Sequence, residues 1–201
     1  MVDTSSMVIW MTTLTIGICS LVFAAGTGAP INYMAVTALI SFAIAAIGLR
    51  EIIALDKQDA SLSAVSAATA RYMGLVYAWG ATALFVTYFF ILPKWHEWPV
   101  FCGAFASVAA ISLLFAATMS KDAERGKDDP TLLKIGRILT VAQFAGTIVA
   151  IVGLMIDPDK QFLNPERRDW AAQTVFLFGA IALAAISAAA LFYTRNRPPA
   201  A

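Results

Sequence analysis

The chain has 201 residues, of which 60% are apolar and 13% charged, with 14 basic against 13 acidic side chains and a formal net charge of +1. Soluble domains carry roughly a quarter charged residues and just under half apolar ones, and a nucleic-acid binder needs a basic surplus. With a mean hydropathy of +0.75, the chain is therefore no soluble enzyme, disordered polymer or nucleic-acid binder, and an integral membrane protein is what remains.

The placement of the charges gives the organisation. Asp, Glu, Lys and Arg are absent from 4–49, 72–93, 98–120, 138–156 and 170–194. A helix needs about 20 apolar residues to cross the hydrocarbon core, so each of the last four stretches holds one span. The first is long enough for two, and Gly26-Thr27-Gly28-Ala29-Pro30 breaks it with turn-forming residues. The expectation is an all-α membrane protein: a bundle of six transmembrane helices, roughly 7–27, 31–54, 71–92, 99–119, 133–156 and 170–193, in one domain with no soluble part. The runs are too long and too continuous for the alternating strands of a membrane barrel, and helices satisfy their own backbone hydrogen bonds in lipid. The first span is not expected to be a cleavable signal, because residues 1–6 lack a basic residue and the apolar run exceeds a usual h-region.

Six spans put both termini and the 2–3 and 4–5 connections on one side. That side carries Arg50, Lys57, Arg71, Lys121, Arg125, Lys127, Lys134, Arg137, Arg195 and Arg197, against Lys94, Lys160, Arg167 and Arg168 on the other. The bias places the termini in the cytoplasm. The compact loops, and the lack of an Arg-rich presequence, point to a bacterial inner membrane.

The outer connections are short and carry prolines: Pro30, then Pro93 and Pro99, then Pro158 and Pro165. The chain thus reads as three consecutive helical hairpins, with Gly17, Gly80 and Gly146 each 12 or 13 residues ahead of a proline. In the 2–3 connection, Asp59 or Ser61 is a helix-capping residue, so the third helix is expected to begin early. Leu62, Val65, Ala68 and Tyr72 share one of its faces, with Ser63 and Ser66 elsewhere. The stretch 120–130 is the charged inner loop, with seven charges between Ser120 and Asp129. Asp129-Pro130 supplies an N-cap and first-turn pair for the fifth helix, and Lys134 and Arg137 sit where they reach inner headgroups.

Trp95, Trp98 and Trp170 cluster at outer boundaries as interfacial anchors. Ala180, Ala184 and Ala188 recur at spacing four, and Gly103 and Ser107 do so in the fourth helix. Small residues at that spacing let helices approach closely, either inside the bundle or between copies and partners.

Candidate chemistry is sparse. His96 is the single histidine, so a haem held by two axial histidines of this chain is excluded, and no cofactor is expected. His96 and Glu97 are weak metal candidates, since adjacent side chains rarely face one ion; Asp157 and Asp159 would have to add ligands. Cys19 and Cys102 lie at different depths, which disfavours a disulfide. No ionisable residue falls near mid-membrane, which argues against carboxylate-driven transport and voltage sensing. The polar residues left to form a pathway or to bond between helices are Gln143, Thr15, Asn32, Tyr77, Trp79 and Thr82. Arg50-Glu51 marks the inner end of the second helix, with Arg71 as a charge partner.

No catalytic set and no family-defining motif is present in the sequence. The leading expectation is a non-catalytic accessory or structural subunit of a larger membrane assembly, partnered by the lipid bilayer and by other membrane subunits or copies of itself. The alternative is a small oligomeric channel or facilitator for a neutral or weakly polar solute.

Overall fold

The computed structural model describes residues 31–90, 98–156 and 170–194. They form five helices: α1 (Ile31–Lys57), α2 (Leu62–Phe90), α3 (Trp98–Glu124), α4 (Pro130–Ile156) and α5 (Trp170–Thr194). No strand occurs among the described residues. Four helices, α1, α3, α4 and α5, are long and apolar enough to cross a membrane. α2 is the longest at 29 residues but is diluted by Ser63, Ser66, Thr69 and Arg71 in its first half.

Two expectations need correction. The bundle has five helices among the described residues rather than six; the expected span 7–27 lies outside them. The charged loop is also shorter than 120–130, because α3 continues to Glu124. Charges end a membrane span, but Lys121, Asp122 and Glu124 do not end a helix, since their side chains reach water while the backbone bonds continue.

Local chemistry explains the α1–α2 and α3–α4 turns. At the end of α1, Asp59 takes a left-handed conformation (φ 51°), and the N–H groups of Ala60 and Asp59 bond the carbonyls of Leu55 and Asp56. At the end of α3, Gly126 (φ 63°) does the same, with Lys127 N–H on the Asp122 carbonyl and Gly126 N–H on Ala123. Both are the paired 6→1 and 5→2 closure that satisfies carbonyls left over at a helix end. Each turn then starts the next helix at once. Ser61 Oγ accepts from Ala64 N–H at 3.2 Å, and Asp129 Oδ1 accepts from Thr131 N–H at 2.8 Å and Leu132 N–H at 3.3 Å.

α2 is the centre of the packing and touches each of the other four helices, most extensively α3. α5 packs on α1, α2 and α4. Ile52 of α1, Val65, Ala68, Tyr72 and Met73 of α2, and Ala182, Leu183 and Ile186 of α5 form one buried cluster towards the start of α2. Towards the end of α2, Leu84, Ala83 and Val175 make a second with Trp79, Phe105 and Phe176 packed against it. Phe105 meets both Tyr77 and Phe176 edge to face, with ring centroids 5.4 and 5.3 Å apart.

Two glycines set the closeness of these crossings. A Cβ on Gly48 would lie 2.7 Å from Cγ of Tyr72, and one on Gly80 2.6 Å from the ring of Phe105. Only a residue without a side chain lets those aromatic rings lie against the neighbouring backbone.

Candidate functional site

Polar side chains meet at the end of the bundle that holds the α1–α2 and α3–α4 turns. Ser63 is fully buried. Its N–H and its hydroxyl both donate to Asp128 Oδ1, at 3.0 and 2.6 Å, and the hydroxyl also lies 3.2 Å from the Lys127 carbonyl. The N–H in question belongs to the first turn of α2, where backbone donors have no partner within the helix. A carboxylate from the α3–α4 turn therefore completes the cap that Ser61 begins, and its charge suits the positive end of α2. This clasp ties the two turns together. The sequence offers Asp59 or Ser61, and Asp129, as capping residues; Ser61 takes the cap while Asp59 closes α1, and nothing in the sequence shows that Ser63 and Asp128 meet across 65 positions.

Beside the clasp, a cleft of about 340 Å³ opens between α2, α3, α4 and the end of α5. Its walls are Leu62, Ala70, Met73, Ile111, Phe115, Leu133, Leu139, Ala190 and Leu191, interrupted by the hydroxyl residues Ser66, Thr69, Ser112, Thr140 and Thr194. The Thr69 and Thr140 hydroxyls donate to the carbonyls of Val65 and Gly136, at 2.8 Å each. Lys134 and Arg137, expected as headgroup anchors, both line this cleft and both are exposed. They stand three residues apart and so share a face of α4.

Gln143 is half-buried, and its Oε1 accepts from the Tyr77 hydroxyl at 2.5 Å. The bond joins α2 to α4, which otherwise touch little. Trp79 packs against the outer cluster, with Nε1 buried and no acceptor among the described residues. Thr82 is exposed and bonds back to the Ala78 carbonyl at 2.9 Å. These polar residues of α2 thus do not converge on one cavity.

The small residues divide. Ala180 is buried, Ala184 half-buried and Ala188 exposed. Gly103 and Ser107 are exposed, and nothing lies within 4 Å of a Cβ placed on Gly103. Glu51 meets Arg71 at 3.2 Å and accepts from the Tyr72 hydroxyl at 2.5 Å, an arrangement near the C-terminal end of α1 that joins it to α2. Cys102 is a free thiol, 3.5 Å from the Ala81 carbonyl. Asn32, Trp98 and Trp170 fall in the first turns of α1, α3 and α5. Thr15, Trp95, His96 and Glu97 lie outside the described residues. Among those described, no three His, Cys, Asp or Glu side chains gather as metal ligands do.

What the geometry offers is a polar clasp, an apolar cleft lined in part by two exposed cations, and a hydrogen bond that ties Gln143 of α4 to α2. No protein-family model matches the chain, and no significant match was found among curated proteins or solved structures.

Proposed function

We propose that the chain is a multi-pass subunit of a larger membrane assembly, non-catalytic, in a bacterial inner membrane with both termini in the cytoplasm. In this reading residues 7–27 supply a sixth span, and the bundle is three successive hairpins. The observation that carries it is the outer face of α4. Ala142, Gly146, Ala150 and Gly153 recur there at spacings of four, four and three, all exposed, with open space beside both glycines. α3 carries a similar exposed row in Gly103, Ser107, Ala110 and Ala117. Lipid tails gain nothing from small residues, whereas a second helix gains close backbone approach. Two such rows on the outside of one bundle fit a protein built to be packed against.

The test is native mass spectrometry of the protein extracted from its own membrane in mild detergent. Complexes with other chains are expected, and Gly146→Leu is expected to lower their yield. Detection of self-assemblies only would overturn the reading. It would favour the facilitator, for which flux through proteoliposomes and a change of flux in Gln143→Leu are the signatures. The Tyr77–Gln143 bond supports the subunit reading, because it occupies the amide oxygen that a solute path would use.

A further inference from the structure

We propose that the cleft between α2, α3, α4 and α5 binds an anionic phospholipid of the inner leaflet. Lys134 and Arg137 take the phosphate, and one acyl chain lies along the apolar wall. The proposal shares with the preceding section the inner orientation of this end, but not the accessory role.

Position comes first. The cleft starts at Leu62 and Pro130, the first residues of α2 and α4, and at Thr194, the last of α5. It reaches Met73, eleven residues into α2, which is about 16 Å along a helix. Arg71 and Arg137 stand immediately before the charge-free runs 72–93 and 138–156, so the cleft straddles the level at which hydrocarbon begins, with Met73 and Leu139 on its apolar side.

Chemistry follows the same axis. Ile111, Phe115, Leu133 and Leu139 give the cleft a wall that a free phosphate has no use for. The two exposed cations that line it have no hydrogen-bond or ion-pair partner among the described residues. The acidic groups nearest in sequence are committed elsewhere: Asp128 to Ser63, and Asp129 to the N–H groups of Thr131 and Leu132. Two cations with no partner among the described residues, beside an apolar slot at the cytoplasmic side, match an anionic headgroup with its chain attached. A zwitterionic lipid would bring a positive group to the same place. At about 340 Å³ the cavity is at the small end of ligand sites. It takes one chain, and the other lies on the exposed flanks of α3 and α4.

The test uses the full chain in mild detergent, with phosphatidylglycerol, phosphatidylcholine or glycerol phosphate added back and retained lipid read by native mass spectrometry. Phosphatidylglycerol is expected to be retained in preference to phosphatidylcholine, and glycerol phosphate not to bind. Lys134→Gln with Arg137→Gln is expected to weaken phosphatidylglycerol binding on the order of thirtyfold, about 1 kcal/mol for each basic group near the membrane surface. Lys121→Gln with Arg125→Gln removes the same charge from the same side, outside the cleft, and is expected to change little. Equal retention of both lipids, an equal loss in the control pair, or binding of glycerol phosphate as tight as that of the lipid would overturn the proposal.

A phosphatidylglycerol with a diazirine in its chain locates the site directly. Crosslinks are expected on α2 around Ser66–Met73 and on α4 around Leu133–Thr140. Labelling scattered over the bundle, or missing the cleft because residues 1–30 of the chain fill it, would overturn it. None of these readouts depends on whether partner chains co-purify.

Discussion

α5 and α4 are neighbours of similar length and apolarity, yet half of the α5 span is buried in the bundle and only 6% of the α4 span is. α1 resembles α5, with 39% buried, and α3 resembles α4, with 11%. In water such a contrast would be intolerable, because α3 and α4 would expose Val100, Ile111, Leu114, Val149 and Ile156. In lipid it carries no penalty, since acyl tails solvate those side chains as well as another helix does. Burial in this molecule therefore records close fit rather than hydrophobicity. Where a glycine meets a ring, as Gly48 meets Tyr72 and Gly80 meets Phe105, helices are locked together. Where a glycine meets nothing, as at Gly103, Gly146 and Gly153, the surface is open for lipid or for a partner.

The sharpest way to break this contrast is to cut a side chain from each region. Ile186 of α5 is fully buried in the cluster it forms with α1 and α2, and Leu114 is 70% exposed on α3. Ile186→Ala is expected to lower unfolding free energy by about 3 kcal/mol. Leu114→Ala is expected to stay within about 0.5 kcal/mol, both followed by denaturant titration in micelles. Similar losses at the two sites would mean that α3 is covered in the native protein.

Asp128 tests whether the two turns form one unit. Asp128→Ala strands the buried N–H of Ser63, while the hydroxyl keeps the Lys127 carbonyl within reach, and is expected to cost about 2 kcal/mol. Ser63→Ala removes the hydroxyl that also bonds Asp128, so the double variant should lose less than the sum of the two single variants. Strictly additive losses would show that the clasp is not a coupled pair.

Glycine substitutions follow in size. Gly48→Ala pushes a methyl group into the Tyr72 ring and is expected to destabilise by roughly 1–3 kcal/mol. Gly146→Ala meets open space, so its stability is expected to move by less than about 0.5 kcal/mol, read on the isolated protein. The smallest effect is the Tyr77–Gln143 bond. A cycle of Tyr77→Phe and Gln143→Leu is expected to give a coupling of about 0.6 kcal/mol, the usual value for hydrogen bonds between membrane helices. A coupling near zero would mean the bond does not hold α4 to α2.

Much of the helical layout was open to sequence reasoning because it rests on local causes. The charge-free runs required helices, and Ser61, Asp129 and Pro130 mark where two of them start. Asp128 and Ser63 were out of reach, since each resembles an ordinary turn or cap residue until the two turns are brought together. Gly80 and Gly146 look alike in sequence, each shortly before a proline, but one faces Phe105 and the other open space. The same ambiguity hid the cleft. Lys134 and Arg137 were readable as headgroup anchors, but the slot they guard takes walls from four helices.

The sequence alone thus determined the solvent, the helical class and the capped starts of two helices, all of which depend on residues within a few turns of one another. Tertiary structure decided which face of each helix is inside. These helices are apolar on every side, and lipid accepts any apolar face, so hydrophobic patterning carries no instruction about packing. That choice rests on the fit of Gly48 to Tyr72, Gly80 to Phe105 and Asp128 to Ser63, each made between residues more than 20 positions apart.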